Sequence, residues 1–422
     1  MSNYFDKHFT SQSYSQSGSV YVHWPYCKRR CSYCNFVKFI PKNNASWYFS
    51  DEIIEDAMVF ELQNVLKASP IKNVISVFFG GGTPSIGRPQ LVEKILKVIS
   101  QNCSLASNAE VTLEANPTLL EARKLKSFRT AGVNRLSVGV QSFRDDLLKI
   151  LNRDHSSKEA IFCIEESRKL YPNKVSFDLI FALPHQTVDL WKEDIEYALA
   201  LCDDHLSLYQ LTVENGTLLS KQVKEGLLRL PTKDEEVEMY EFAVECLKKN
   251  GFHRYEVSNF ARTDNSESVH NKAVWQGGQY IGIGPGAHSR IVKTFPNNIS
   301  RIENREAKIN VPDPKGWLNE VHGKGNGARR IILQTPIDMQ MEYIATSLRT
   351  KDGAQQARWN LFSSSPLQDI YEAANIEPEF IVFHDGCFKA TEKGINVLDS
   401  LLPRLINTIE EVYKPSEEVY FQ

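Results

Sequence analysis

The chain has 422 residues, 42% of them apolar and 24% charged, an ordinary globular composition with room for two or three domains. Lysine and arginine number 49 against 52 acidic residues; this near balance does not suggest a nucleic-acid binder, and no apolar run approaches the roughly 20 residues of a membrane span. The 8 cysteines are too few and too unevenly spread for a secreted disulfide framework in this length, so a reducing compartment is expected.

In chain order, residues 1–18 (MSNYFDKHFTSQSYSQSG) are expected to be a disordered leader. They contain Lys7 but none of the arginines of a typical transit peptide. From 19 to 230 short β-branched runs alternate with helical patterns. The strand candidates are SVYVHW (19–24), VISVFF (74–79), EVTLEA (110–115), RLSVGV (135–140), KVSFDLIF (174–181) and HLSLYQLTV (205–213). Six such units predict an α/β fold built on a partial (β/α)6 barrel open on one side, with a doubly wound sheet as the rival. Glycines and polar residues stand at the strands' C-terminal ends: Gly80–Gly82, Glu114, Gln141 and, inside the fifth run, Asp178. In β/α barrels that rim carries the chemistry. Residues 231–312 are expected to connect the barrel to the rest and include the segment HNKAVW. The polar stretch 313–328 is expected to be a linker. Residues 329–422 are expected to form a C-terminal helical, winged-helix-like domain around the hairpin FIVFHDGCFKATEKG, with Asp385-Gly386 as its turn.

The densest chemistry lies in YCKRRCSYCNF, where Cys27, Cys31 and Cys34 stand at C-x3-C-x2-C spacing. A closed zinc site wants four ligands, and no second Cys or Cys/His pair completes one. An iron–sulfur cube held by three thiolates leaves one iron free to bind a chelating small molecule. The other cysteines (Cys103, Cys163, Cys202, Cys246 and Cys387) are scattered and are expected to serve as small buried apolar residues. FFGGGTPS (78–85) lacks the G-K-[ST] of a P-loop, yet its glycines permit close approach of backbone to a ligand.

The cysteine stretch, placed after the first strand of a β/α barrel, resembles the radical S-adenosylmethionine (SAM) superfamily. There SAM chelates the open iron of a 4Fe–4S cluster, and reduction releases a 5′-deoxyadenosyl radical. The succession YVHWPYCKRRCSYCNF, FFGGGTPS, LEANP, LSVGVQSF, LNRDH and FDLIFALPHQT resembles, more narrowly, the oxygen-independent coproporphyrinogen dehydrogenase group over residues 19 to 290. That resemblance implies Cys27, Cys31 and Cys34 on the cluster. It also implies Tyr21, Tyr33, Gly81, Gly82, Thr83, Glu114, Gln141, Arg153 and Asp178 around SAM. The porphyrin-oxidising branch carries a fourth cysteine where this chain has Phe36. HNKAVW (270–275) is similar instead to the H-N-x-x-Y-W segment of the HemW-type haem chaperones, with Val274 in place of the tyrosine.

The resemblance to that branch implies haem as a ligand, His270 as its axial ligand, and haem-accepting proteins as partners. An electron donor is implied if SAM is cleaved, which the residues leave open. His23 and His288 are the other candidate imidazoles. Radical decarboxylation of coproporphyrinogen III is the alternative function, and nucleic-acid modification through the C-terminal domain a third reading that the charge balance opposes. Likeness to animal mitochondrial members implies a mitochondrial location, with the cytoplasm as the alternative.

Overall fold

The alternating runs pair into one parallel sheet. In a computed structural model that describes residues 11–41, 49–293 and 301–413, β1 (Ser17–Trp24), β2 (Asn73–Gly81), β3 (Ser104–Ala115), β4 (Arg135–Gln141), β5 (Val175–Phe181) and β6 (His205–Gln210) lie side by side in chain order. Each neighbouring pair is parallel. Helices Asp51–Ala68, Pro89–Asn102, Ser157–Leu170 and Val188–Leu201 fill the crossovers. A sheet whose spatial order follows chain order winds in one direction only, which excludes the doubly wound rival with its reversal at a switch point. Period-two alternation decides which side chains face the helices and which the concave side. Along β1, Val20, Val22 and Trp24 enter the helix-packed core, while Tyr21 faces the lumen of the barrel.

The sheet runs further than six units. β7 (His253–Glu256) and β8 (Asn259–Ala261) form a hairpin, and β8 is antiparallel to β6. On the other side β9 (Tyr280–Ile283) joins β1 in parallel. β10 (His288–Val292), β11 (Arg305–Asn310) and β12 (Ala328–Gln334) extend it antiparallel. The twelve strands, β12-β11-β10-β9-β1-β2-β3-β4-β5-β6-β8-β7, form an open sheet.

Two expected boundaries are corrected. Residues 313–328 are no linker: Pro314–Lys324 is a helix whose Trp317, Leu318 and Val321 are buried in the barrel core. The glycines and lysines of that stretch mask an apolar face at i, i+1, i+4 spacing. The leader call covered residues 1–18, of which 1–10 lie outside the described residues. Ser11–Gln16, however, is a short helix, Tyr14 and Ser15 are buried, and β1 already begins at Ser17. The Tyr14 hydroxyl donates to the Gly277 carbonyl at 2.6 Å, and the Gln279 amide donates to the carbonyls of Tyr14 and Ser15, which anchors this segment.

The C-terminal part has its own core. Helix Pro336–Ser347 is followed by β13 (Ala354–Gln355), helices Gln356–Trp359 and Leu367–Ala374, and the hairpin β14 (Ile381–His384)–β15 (Cys387–Ala390). With sheet order β13-β15-β14 this is the winged-helix succession. Asp385 and Gly386 both take positive φ (50° and 71°), as a type I′ turn requires. Cys163 and Cys202 are buried as expected, whereas Cys103, Cys246 and Cys387 are only half-buried.

Glu61 ties the strand extension to the barrel. From helix Asp51–Ala68 its carboxylate accepts from the backbone N–H of Gly284 (2.8 Å) and Gly327 (2.7 Å), from the Trp317 indole (3.0 Å) and from the Asn310 amide (2.9 Å). Burial pushes its pKa up to about 7 against these four donors. Glu61→Gln would set an amide NH2 against donors. We expect it to lower stability in chemical denaturation by about 3 kcal/mol, while Glu52→Gln on the exposed side of the same helix changes it little.

Candidate functional site

The site is built at the C-terminal ends of the parallel strands. β1 ends at Trp24, and the next segment is held as a closed loop: the Cys27 N–H donates to the Phe39 carbonyl (3.0 Å) and the Phe39 N–H to the Pro25 carbonyl (2.8 Å). Its middle is fixed at Ser32, whose N–H donates to Leu151 O (3.0 Å) and whose hydroxyl donates to Ile150 O (2.8 Å). The three cysteines therefore converge on one cavity, which Tyr33, Phe36, Gly81, Gly82, Thr83, Glu114, Gln141, Arg153 and Asp178 also line.

The sulfurs lie among donors. The Thr83 hydroxyl donates to Cys27 Sγ (3.2 Å) and Arg153 Nη1 to Cys31 Sγ (3.3 Å), contacts that favour sulfur carrying negative charge. Burial pushes the Cys27 thiol up to about 11, so it loses its proton on binding a metal rather than free at neutral pH. Among the described residues, the one group of three metal-ligating side chains whose donor atoms lie within 4.8 Å of one another is His253, Asp264 and Glu267. The three cysteine sulfurs form no such tight group. The His253 group is itself occupied by cations, because Lys272 and Lys351 both pair with Glu267 at 2.5 Å.

Gly81 and Gly82 let β2 come close to the end of β1. Gly81 has φ +105°, and a Cβ on Gly82 would stand 2.6 Å from the Tyr26 carbonyl oxygen. The Gly81 N–H donates to Glu114 Oε2 at 3.2 Å. Burial, reinforced by the Asp178 charge, pushes Glu114 up to about 8. Burial also pushes Asp178 up to about 6, against donation from Ser207 and Ser137 and the positive charge of Arg153. Two carboxylates strained in this way favour a cation between them. Arg153 donates to Gly139 O (2.7 Å) and to Asn116, and its buried Nε lacks a partner. A fixed guanidinium with a spare N–H beside three thiols fits the carboxylate of an amino-acid ligand that chelates iron. The residues present thus fit a 4Fe–4S cluster with SAM.

Two of the expected residues are elsewhere. Tyr21 and His270 line a second cavity, the barrel lumen, which shares Glu114, Ser137 and Asp178 with the first. His270 lies not in a loop but on helix Val269–Trp275, which closes the floor of the barrel at the strands' N-terminal ends. Its Nδ1 shares a hydrogen bond with Ser76 Oγ (3.1 Å), its ring stacks on Phe78 at 4.8 Å, and its backbone N–H donates to Glu110 Oε1 (3.2 Å). Burial pushes its pKa down to about 3. The lumen measures about 270 Å³ and is lined by Tyr21, Phe78, Glu114, Asp178, His270 and Asn271 among others. His23 is also buried, between the Tyr21 hydroxyl and the Val37 carbonyl. His288 is exposed on β10. Asn116, Ser137 and Lys38 were not singled out from sequence. Asn116 stands inside LEANP, two residues beyond Glu114 at a strand end, and that position was its one available signal.

The model of the radical SAM superfamily matches residues 21–198. A Danio rerio protein named "Radical S-adenosyl methionine domain-containing protein 1, mitochondrial" is 42% identical over 94% of this chain and 89% of its own length. "Heme chaperone HemW" of Bacillus subtilis is 37% identical over 68% of this chain and 74% of its own. The chain belongs to the radical SAM family that includes these two proteins. A solved structure described as coproporphyrinogen III oxidase (HemN) of Escherichia coli superposes with TM-score 0.74 at 19% identity, covering 95% of this chain and 92% of that one, and so shares the fold.

SAM carries a sulfonium cation, so its affinity should rise as Asp178 and Glu114 ionise between about pH 6 and pH 8 and level off above. Calorimetric titration checks this: S-adenosylhomocysteine, neutral at sulfur, should give a flatter profile, and Glu114→Gln should flatten that of SAM. His270→Ala should cost about 1–3 kcal/mol of folding free energy through lost packing against Phe78 and Ser76, measured by urea denaturation.

Proposed function

We propose that this chain is a haem chaperone that binds haem and hands it to acceptor proteins, with a 4Fe–4S cluster on Cys27, Cys31 and Cys34 and SAM on the open iron. The observation that carries the cofactor part is the three-thiol cavity in which Arg153 keeps an unpartnered N–H and Glu114 and Asp178 wait for a cation. When bound, the cluster supplies one-electron reduction of the sulfonium. In the chain itself, Thr83 and Arg153 balance sulfur charge, Arg153 grips a carboxylate, and Gly81–Thr83 bring backbone to the methionine end. The haem part is supported by the relatives named as haem chaperones. Animal relatives named as mitochondrial favour that compartment.

Radical decarboxylation of coproporphyrinogen III is disfavoured. Phe36 stands where that branch has its additional thiol, and its ring is 69% exposed at the cavity's rim. A ring there offers no ligand and no proton.

Anaerobic reconstitution tests both readings. We expect about four irons and four sulfides per chain, the total falling when Cys31 is changed to Ala. Haem-loaded protein should transfer its haem to an apo-haemoprotein, followed by the acceptor's Soret band, and coproporphyrinogen III should yield no carbon dioxide. A zinc-loaded protein would remove the cluster assignment, and sustained carbon dioxide release would replace the chaperone with the enzyme.

A further inference from the structure

We propose that turn 349–353 of the C-terminal domain is a clasp on the floor helix Val269–Trp275 that sets how fast haem leaves the protein, with Asp352 as its positioning residue. This rests on the haem-chaperone reading above, with haem held at the HNKAVW segment, and names what holds that segment in place.

Residues at i, i+3 and i+4 share one face of a helix. On the floor helix His270 and Asn271 line the lumen, whereas Lys272, Trp275 and the C-cap Gln276 form a different face at that spacing. The barrel holds the first turn. Glu110 accepts from the Ser268 hydroxyl and the His270 backbone N–H, and the Tyr255 hydroxyl accepts from the Ser268 N–H at 3.1 Å. The other face meets the C-terminal domain. Helix Pro336–Ser347 runs into turn 349–353, and every residue of that turn touches segment 267–276. The Arg349 guanidinium lies over the Trp275 ring, 5.9 Å from its centre. The Thr350 hydroxyl and the Gly353 carbonyl accept from the Gln276 amide at 2.5 and 3.2 Å. Lys351 pairs with Glu267 at 2.5 Å, and Asp352 pairs with Lys272 at 3.3 Å. Just beyond the turn, buried Arg358 donates to the Gln276 carbonyl at 2.7 Å.

These contacts make the floor the part of the lumen that opens at least cost. The side walls are strands joined by backbone ladders, and the cluster cavity adjoins the far end through Glu114, Ser137 and Asp178. The floor is a helix of seven residues, too short to persist in water by itself, so tertiary contacts at its two ends hold it. Local opening draws on elements fastened by few contacts. The turn is in its own right fixed to the sheet edge. The Lys351 N–H donates to the Tyr255 carbonyl at 3.0 Å, and Thr350 forms a bridge with Glu256 of β7. The clasp therefore has a firm base and a movable jaw. Asp352 is the contact through which it can be loosened without a cavity in the core, because its side chain is 36% exposed and its partner Lys272 17%. Loosening it acts on dissociation, the step in which most affinity differences between related complexes lie.

The test is haem release from the anaerobically reconstituted, haem-loaded full chain to an excess of apo-haemoprotein, followed at the acceptor's Soret band. Hydrogen exchange over 267–276 is read alongside by mass spectrometry. The variants are Asp352→Lys, the milder Asp352→Asn and Glu392→Ala. Glu392 joins the C-terminal domain to the barrel through Lys248 (3.0 Å) and Arg254 rather than through the floor helix. Asp352→Lys turns attraction on Lys272 into repulsion, and should speed release at least about 5-fold. It should also speed exchange over 267–276, with exchange in β2–β5, iron content and SAM affinity unchanged. Asp352→Asn should show both changes at smaller size, which keeps the test readable should the charge reversal fail to fold. Glu392→Ala should release haem as wild type does. Wild-type release in both Asp352 variants, faster release without faster exchange of the helix, or equal acceleration in Glu392→Ala would overturn the clasp while leaving the chaperone reading intact. Absence of haem binding by the wild type would remove both.

Discussion

The closure of the cysteine loop is the constraint on which the site depends. Eight residues holding three thiols have many conformations, and ordering them costs about 1–2 kcal/mol of backbone entropy per residue. That cost is met before any iron arrives. The backbone bonds between Cys27 and Phe39 and between Phe39 and Pro25 shut the loop at its base, and Ser32 is tied to the end of the helix at Ile150 and Leu151. The next residue pair on that side, Asn152 and Arg153, belongs to both structures: Asn152 donates to the Arg30 carbonyl and Arg153 to the Cys31 sulfur. The loop that presents the sulfurs and the guanidinium that faces a carboxylate are thus positioned by one set of contacts.

The same economy explains the carboxylates. Glu114 and Asp178 belong to β3 and β5, with β4 and its Ser137 between them, so sheet geometry alone brings them to one wall. Without a cation both are held above their ordinary pKa values by burial. A buried acid in that state binds a proton or a cation, and the two compete. Cation binding and proton release are therefore linked through the wall that the cluster pocket and the lumen share.

Much of this was legible in the sequence, for definable reasons. The six parallel strands are β-branched, short and separated by amphipathic helices, so local pattern and tertiary role agree. The cysteine spacing, the glycine run and the strand-end acids are local signals as well, and every residue implied for the cluster and SAM except Tyr21 lines the one cavity at the strand ends. What was hidden depends on long-range packing. Trp317 sits in a stretch whose glycines and lysines suggest a linker, and only its distance from Glu61 makes it core. Tyr14 lies in a Ser- and Gln-rich segment, and its partner, Gly277, is 263 residues away. Asn116, just past the end of β3, supports Arg153 in the turn after helix Asp145–Ile150, and no spacing within either motif states that contact.

His270 shows most clearly how a motif and its location can part. As a sequence, HNKAVW offers an imidazole in polar surroundings. In the fold, Ser268 caps its helix and Glu110, itself paired with Arg135 at 3.3 Å, accepts from the Ser268 hydroxyl and the His270 N–H. These contacts fasten the segment across the N-terminal ends of β2, β3 and β4, at the end of the lumen opposite to the cysteines. An imidazole there completes a wall of the lumen.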